Sequence, residues 1–394
     1  MQERLMTQPI PFKIDIAQTK IDALMARVAA YPWFDAPRGV PDWSLGISTP
    51  VLRDLCTYWT DSYDWRAEEA RLNQYPHFMA EIDDLPIHFV HVIGEAGGKR
   101  PLLLTHGWPG SIYEFWDAIS PLAYPSQHGG KAEDAFDLII PSLPGYGFSG
   151  KPAGPLGQRT TAAIWDRLMT DVLGYERYLA QGGDWGAMVT SWIGFEHGVH
   201  NKKGGCAAIH LNMIGLRPTP ATPQNEAELK WLQQSQAGMQ AEGSYFMQQA
   251  TKPQTLAMAL MDSPVGTAAW ILEKFHGWSD LKDGDLLSVY SRDQLLTNVM
   301  IYLVNDAIAT SIRYYASFMI EGGPTLPEGQ RCETPTGFAN YPGEPLYGPP
   351  PRSWCDRAYN INYWSDIARG GHFAAMEVPD LFVADLRKWA TNLA

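Results

Sequence analysis

Tyr178-Leu179-Ala180-Gln181-Gly182-Gly183-Asp184-Trp185-Gly186 joins a short apolar run to a helical window over 187–196. A small-x-nucleophile-x-small sequence between a strand and a helix makes a tight turn. Such a turn lifts its central side chain above the sheet, at the N-terminus of the helix. Small residues are needed around it because the flanking backbones nearly touch. The central residue here is Asp184, where Ser or Cys is more familiar. Taken alone, a Gly-rich turn whose Asp simply caps the next helix reads the same way. The surroundings have to decide.

Working outward, Leu102-Leu103-Leu104, Phe136 to Ile140 (ending at Pro141) and Cys206 to Ile209 are further short apolar runs. Helical windows, such as 161–173, lie between them. Strands that alternate with helices and lack a polar face belong to βαβ units and a mostly parallel sheet, which is the α/β class. The alternation stops at Pro218, Pro220 and Pro223. Residues 226–318 then read as almost wholly helical, through windows 226–240, 253–261, 265–276 and 291–318. Strand texture returns at Thr336 to Ala339 and Tyr359 to Tyr363, and 379–393 forms a closing amphipathic helix. A helical block inserted into an α/β sheet reads as a lid. The expected division is an N-terminal extension at 1–96 wrapping core and lid, core at 97–215, lid at 216–330 and the rest of the core at 331–394. Within the extension, Ile21, Leu24, Met25 and Val28 recur at helical spacing, 51–75 is amphipathic, and Ile87 to Val92 alternates as a strand.

Composition narrows the function classes. Of 394 residues, 45% are apolar and 19% charged, enough to bury a large core. The net charge of −13 repels phosphate backbones and anionic lipid, and no Lys/Arg run exceeds Lys202–Lys203. Nucleic acid and membrane surfaces are therefore not expected partners. Cys56, Cys206, Cys332 and Cys355 form no C-x-x-C pair and read as buried small residues, with no metal centre. No apolar run reaches spanning length and Met1 to Ile10 lacks a signal-peptide core, so a cytoplasmic protein is expected.

Two more signals pair with the turn. His106-Gly107-Trp108-Pro109-Gly110-Ser111 directly follows the run Leu102 to Thr105. A loop in that place supplies one backbone N–H to an oxyanion hole, and the residue after the nucleophile supplies the other. Those would be the N–H groups of Trp108 and Trp185. His372, in Gly370-Gly371-His372-Phe373, follows the final strand and precedes the last helix, where a general base belongs.

The sequence resembles the microsomal type of epoxide hydrolase, in the α/β-hydrolase superfamily, along nearly its whole length. HGWPGS at 106–111, PSLPGYGFS at 141–149, GGDWG at 182–186 and GGHFAAME at 370–377 carry the resemblance, with Tyr63-Asp64-Trp65-Arg66 in the extension. The membrane-anchoring helix of that family is not among its matches. The resemblance implies Asp184 as nucleophile and His372 as general base. It points to Glu344, in Tyr341-Pro342-Gly343-Glu344, as the third triad member, with Asp366 as rival. Two lid tyrosines, Tyr245 and Tyr315, would hold the epoxide oxygen, with Tyr314 as the neighbour of the second. It further implies an apolar epoxide and water as substrates, no metal or organic cofactor, and a homodimer. Trp270, Phe275, Trp278 and Leu296 are candidates for the cavity wall. Two other readings stand beside it. A haloalkane dehalogenase also uses an elbow Asp followed by Trp, and a hydrolase-fold binding protein needs no chemistry.

Overall fold

The computed structural model describes residues 8–202 and 204–393. Among the described residues nine strands form one sheet: β1 (Ile10–Phe12), β2 (His77–Ile82), β3 (Leu85–Val92), β4 (Pro101–Thr105), β5 (Asp137–Pro141), β6 (Arg177–Gly182), β7 (Gly205–Leu211), β8 (Cys332–Asn340) and β9 (Tyr359–Asp366). Their order is β1-β2-β3-β5-β4-β6-β7-β8-β9. From β5 to β9 every pairing is parallel, and β1, β2 and β3 add antiparallel. Every residue of β4 and β5 is buried, as expected of strands covered on both faces. The N-terminal region therefore does more than wrap, because its strands extend the core sheet. Its β2–β3 hairpin turns on Asp83-Asp84, both at positive φ (54° and 60°), the geometry a two-residue hairpin loop requires. Of the leader reading, residues 1–7 lie outside the described residues.

Between β7 and β8 the chain is helical: Glu226–Glu242, Ser244–Thr251, Pro253–Asp262, Pro264–Trp278, Arg292–Val304, Ile308–Ser311 and Arg313–Ile320. Local chemistry sets these boundaries. Ser263 Oγ accepts from Gly266 N–H at 2.9 Å, ahead of Pro264 at the first helical position. Ser291 and Gln294 form a capping box. The window 291–318 is not one helix. Asp306, at φ 50°, breaks it and pairs with Lys20 at 2.8 Å. Tyr58 Oη also donates to Asp293 at 2.9 Å, and Tyr63 Oη lies 3.0 Å from Thr297 Oγ1. Helix Gln18–Ala29 thus holds the break at Asp306, and helix Thr49–Asp61 with the Tyr63 that follows it holds the helix at 292–304. All four cysteines are free and buried, and burial pushes the Cys56 thiol up to about 12. No single helix among the described residues is long and apolar enough to cross a membrane.

Candidate active site

The turn after β6 is as tight as its sequence requires. A Cβ on Gly182 would overlap the Gly186 carbonyl group, and one on Gly186 would overlap the carbonyl oxygen of Thr105. Asp184 sits between them at φ 49° and ψ −128°, a conformation that costs a non-glycine residue about 1–3 kcal/mol. Its carboxylate makes no capping bond to the helix Trp185–His197. That removes the capping interpretation, because the strain places the carboxylate elsewhere. Oδ1 accepts the Trp108 N–H at 2.7 Å, and Oδ2 lies 3.2 Å from His372 Nε2. Gly107 is glycine for the same reason, since a Cβ there would overlap the Asp184 carboxylate.

His372 Nδ1 lies 2.7 Å from Glu344 Oε2, and Glu344 Oε1 accepts the Leu346 N–H at 2.9 Å. Asp366 is turned to a different task, accepting from Asn340 Nδ2 at 2.8 Å. Burial alone would pull the His372 imidazolium down. The charge of Glu344, the hydrogen bonds to Asp184 and Glu344, and the charge of Asp184 overcome that and hold it well above the usual histidine range. The loop carrying it is clamped by a carboxylate that the sequence reading missed. Glu377 accepts the N–H groups of Gly371 at 2.9 Å and Phe373 at 2.8 Å, on either side of His372. It also accepts the Asp280 N–H at 2.8 Å, which joins this loop to the lid. His372 N–H donates in turn to the Trp278 carbonyl at 2.9 Å.

The loop at 106–111 is held by the lid helix 292–304. Asn298 Nδ2 donates to the Pro109 carbonyl at 2.8 Å, Tyr302 Oη to that of Gly110 at 2.6 Å, and Ser111 Oγ to Asn298 Oδ1 at 2.9 Å. His106 belongs to this framework. It is buried, its Nε2 accepts the Leu143 N–H at 3.1 Å, and burial pushes its pKa down to about 4. A neutral imidazole used as an acceptor is a structural part. Trp185 opens the helix directly after Asp184.

Above Asp184 lies a cavity of about 190 Å³ walled by Trp185, Met213, Tyr245, Phe246, Tyr315 and Phe318, among others. Trp270, Phe275, Trp278 and Leu296 are not in that wall: the last three are fully buried, and Trp270 Nε1 bonds Gln249 at 2.8 Å. Tyr245 and Tyr315 meet edge to face with ring centroids 5.7 Å apart. Tyr315 is buried, with the Tyr245 hydroxyl as its hydrogen-bonding neighbour, whereas Tyr314 Oη lies 2.8 Å from Thr161 Oγ1. Burial, assisted by the charge of Asp184, holds the Tyr245 and Tyr315 phenols well above their ordinary range. Both therefore remain donors at neutral pH.

Parallel strands with a carboxylate raised at the carboxyl end of β6, beneath an inserted helical lid, define the α/β hydrolases, and residues 100–258 match the model of the alpha/beta hydrolase fold. Residues 9–115 match the model described as the epoxide hydrolase N terminus. The chain is 35% identical over 408 residues to epoxide hydrolase 1 of Sus scrofa, covering 96% of this chain and 88% of that one. Its structure resembles juvenile hormone epoxide hydrolase from the silkworm Bombyx mori, with a TM-score of 0.86, 32% identity and coverage of 100% and 96%. Aspergillus niger epoxide hydrolase follows, with a TM-score of 0.84, 30% identity and coverage of 98% and 97%. The chain belongs to the epoxide hydrolase family.

Proposed function

We propose that the protein converts an apolar epoxide and water to a vicinal diol through a covalent ester on Asp184. Asp184 Oδ2 attacks a ring carbon and the C–O bond to the epoxide oxygen breaks. Tyr245 and Tyr315 donate to the developing alkoxide, and one of them protonates it. Water then adds to Cγ of the ester while His372, oriented by Glu344, takes a proton. The oxyanion develops on Oδ1, which already accepts the Trp108 N–H, and the Trp185 N–H is assigned as the second donor. Collapse breaks the bond to the alkyl oxygen, which takes the proton from His372, and the diol leaves; the second proton of the water, left on the Asp184 carboxyl, restores the tyrosinate.

His372 changes state during the cycle. In the free enzyme, the charge and hydrogen bond of Asp184 are two of the causes that raise its pKa. Esterification abolishes the charge and weakens the hydrogen bond, so the imidazole becomes easier to deprotonate when a base is needed. No step calls on a metal or an organic cofactor.

The observation that carries the reading is the pair of buried phenols, Tyr315 beside Tyr245, lining one cavity with Asp184. A leaving alkoxide needs such donors, and a leaving halide does not need phenols. The apolar wall favours an apolar substrate, with Arg217 its one cationic side chain among the described residues. A single turnover in H2¹⁸O tests the route. The label should enter the Asp184 carboxylate and be absent from the first diol formed; label in that diol would mean direct attack by water. Halide release from a brominated alkane, measured beside it, separates the dehalogenase reading.

A further inference from the structure

A second, smaller cavity of about 10 Å³ also borders Asp184, and no lid residue contributes to it. Glu114, Gln181, Asn212 and His372 supply its polar wall. Its volume is about that of one water molecule, which requires two to four polar partners. Gln181 Nε2 donates to Asn212 Oδ1 at 3.0 Å, leaving Gln181 Oε1 buried with no hydrogen-bond partner among the described residues. Glu114 lies on the short 3-10 turn Ile112–Phe115. Among the described residues it shows no ion pair or hydrogen bond to another side chain, and only the Gly107 N–H points at it. The sequence makes room for it, because a Cβ on Gly110 would overlap Glu114 Oε1. Gly107 thus admits the Asp184 carboxylate and Gly110 admits the carboxyl of Glu114.

Resting on the ester route above, we propose that this small cavity seats the hydrolytic water, with Glu114 accepting one of its hydrogens while His372 Nε2 takes the other. The water oxygen then forms its bond to Cγ of Asp184. The proton on His372 goes to the departing alkyl oxygen as the ester C–O bond breaks, and the second water proton, left on the regenerated Asp184 carboxyl, restores the tyrosine that protonated the first alkoxide. Substrate occupies the aromatic cavity and water the polar one, on either side of one carboxylate. Burial and the charge of Asp184 push the Glu114 carboxyl up to about 8, against the opposing pull of His372 and the Gly107 N–H. Two like charges are thereby avoided in the free enzyme, and a neutral carboxyl still offers an acceptor oxygen.

Stopped-flow tryptophan fluorescence during a single turnover of styrene oxide separates ester formation from ester hydrolysis. Glu114→Met should leave formation within about threefold and slow hydrolysis at least about tenfold. Glu114→Gln, which keeps an acceptor, should recover most of the hydrolysis rate. Gly110→Ala, which displaces the Glu114 carboxyl without altering it, should reproduce the Met phenotype if Met at 114 impairs folding. The burst amplitude counts active molecules in each case. Wild-type hydrolysis in both Glu114→Met and Gly110→Ala, or equal slowing of both steps, overturns the proposal. Absence of any ester in the wild type instead refutes the ester route itself.

Discussion

Glu344→Gln removes a charge from the hydrogen bond that orients His372 while keeping an acceptor of the same shape. The bond is 2.7 Å long, and both partners are buried. A buried hydrogen bond to a charged group contributes about 1.5–3 kcal/mol, which corresponds to roughly a 10- to 150-fold loss in the step that depends on it. That step is ester hydrolysis, in which His372 gathers positive charge beside Glu344. Ester formation, which in the proposed route relies on Asp184 and the tyrosines, should change by less than about threefold. The pH profile adds a signed test. Burial lowers the His372 pKa, and the Glu344 charge and hydrogen bond are among the causes that raise it, so the variant must lower it. A general base with a lower pKa is free at lower pH, so the acidic limb of hydrolysis should move downward. Single-turnover stopped flow from pH 5 to 9 reads both the rate and the limb. Asp366→Asn should alter neither, because Asp366 serves Asn340. If Asp366→Asn slows hydrolysis and Glu344→Gln does not, the triad has been assigned to the wrong carboxylate.

Tyr315→Phe or Tyr245→Phe alone should slow ring opening by roughly 10- to 100-fold, and the double variant should lose nearly all of it. Most of the wild-type alkylation rate surviving in the double variant would remove both tyrosines from the reaction. Gly186→Ala drives a Cβ into the Thr105 carbonyl and should cost about 1–3 kcal/mol of stability, together with a fall in kcat from a displaced Asp184, measured by denaturant unfolding and turnover. Burial holds the carboxyls of Glu114 and Glu377 up at about 8 and about 7. Groups raised in the folded state stabilise it fully below their unfolded pKa near 4.5, and that stability is lost as pH rises through the folded value. The melting temperature should therefore fall between about pH 5 and 8, and Glu114→Gln should flatten the slope; an unchanged slope would contradict the burial of that carboxyl.

The fold was legible where burial on both faces erases the polar alternation. The runs at Leu102 and Phe136 became β4 and β5, buried throughout. β2 was missed because its burial alternates irregularly, so it lacks the signature of either strand type. The break at Asp306 was hidden because a single left-handed residue leaves the apolar pattern of 291–318 intact. At the site, glycine spacing gave the elbow and the 106–111 loop, since glycines mark where a second chain segment comes close. Glu114 and Glu377 went unread for the opposite reason. A carboxylate on a short helix is usually solvated, and nothing local announces that it turns inward. Gly110, four residues before Glu114, was the one available hint. Choosing between Tyr314 and Tyr315 needed the helix phase, which Thr161 reveals by taking the hydroxyl of Tyr314.

The ester on Asp184 is the centre of the account, and intact-protein mass spectrometry of His372→Gln after exposure to an epoxide addresses it directly. With the base removed, ring opening should proceed and hydrolysis stop. The variant should gain one substrate mass, mapping by peptide digestion to Asp184 and disappearing in Asp184→Ala. A variant that gains no mass while still releasing diol, or that carries the adduct on another residue, would contradict the mechanism.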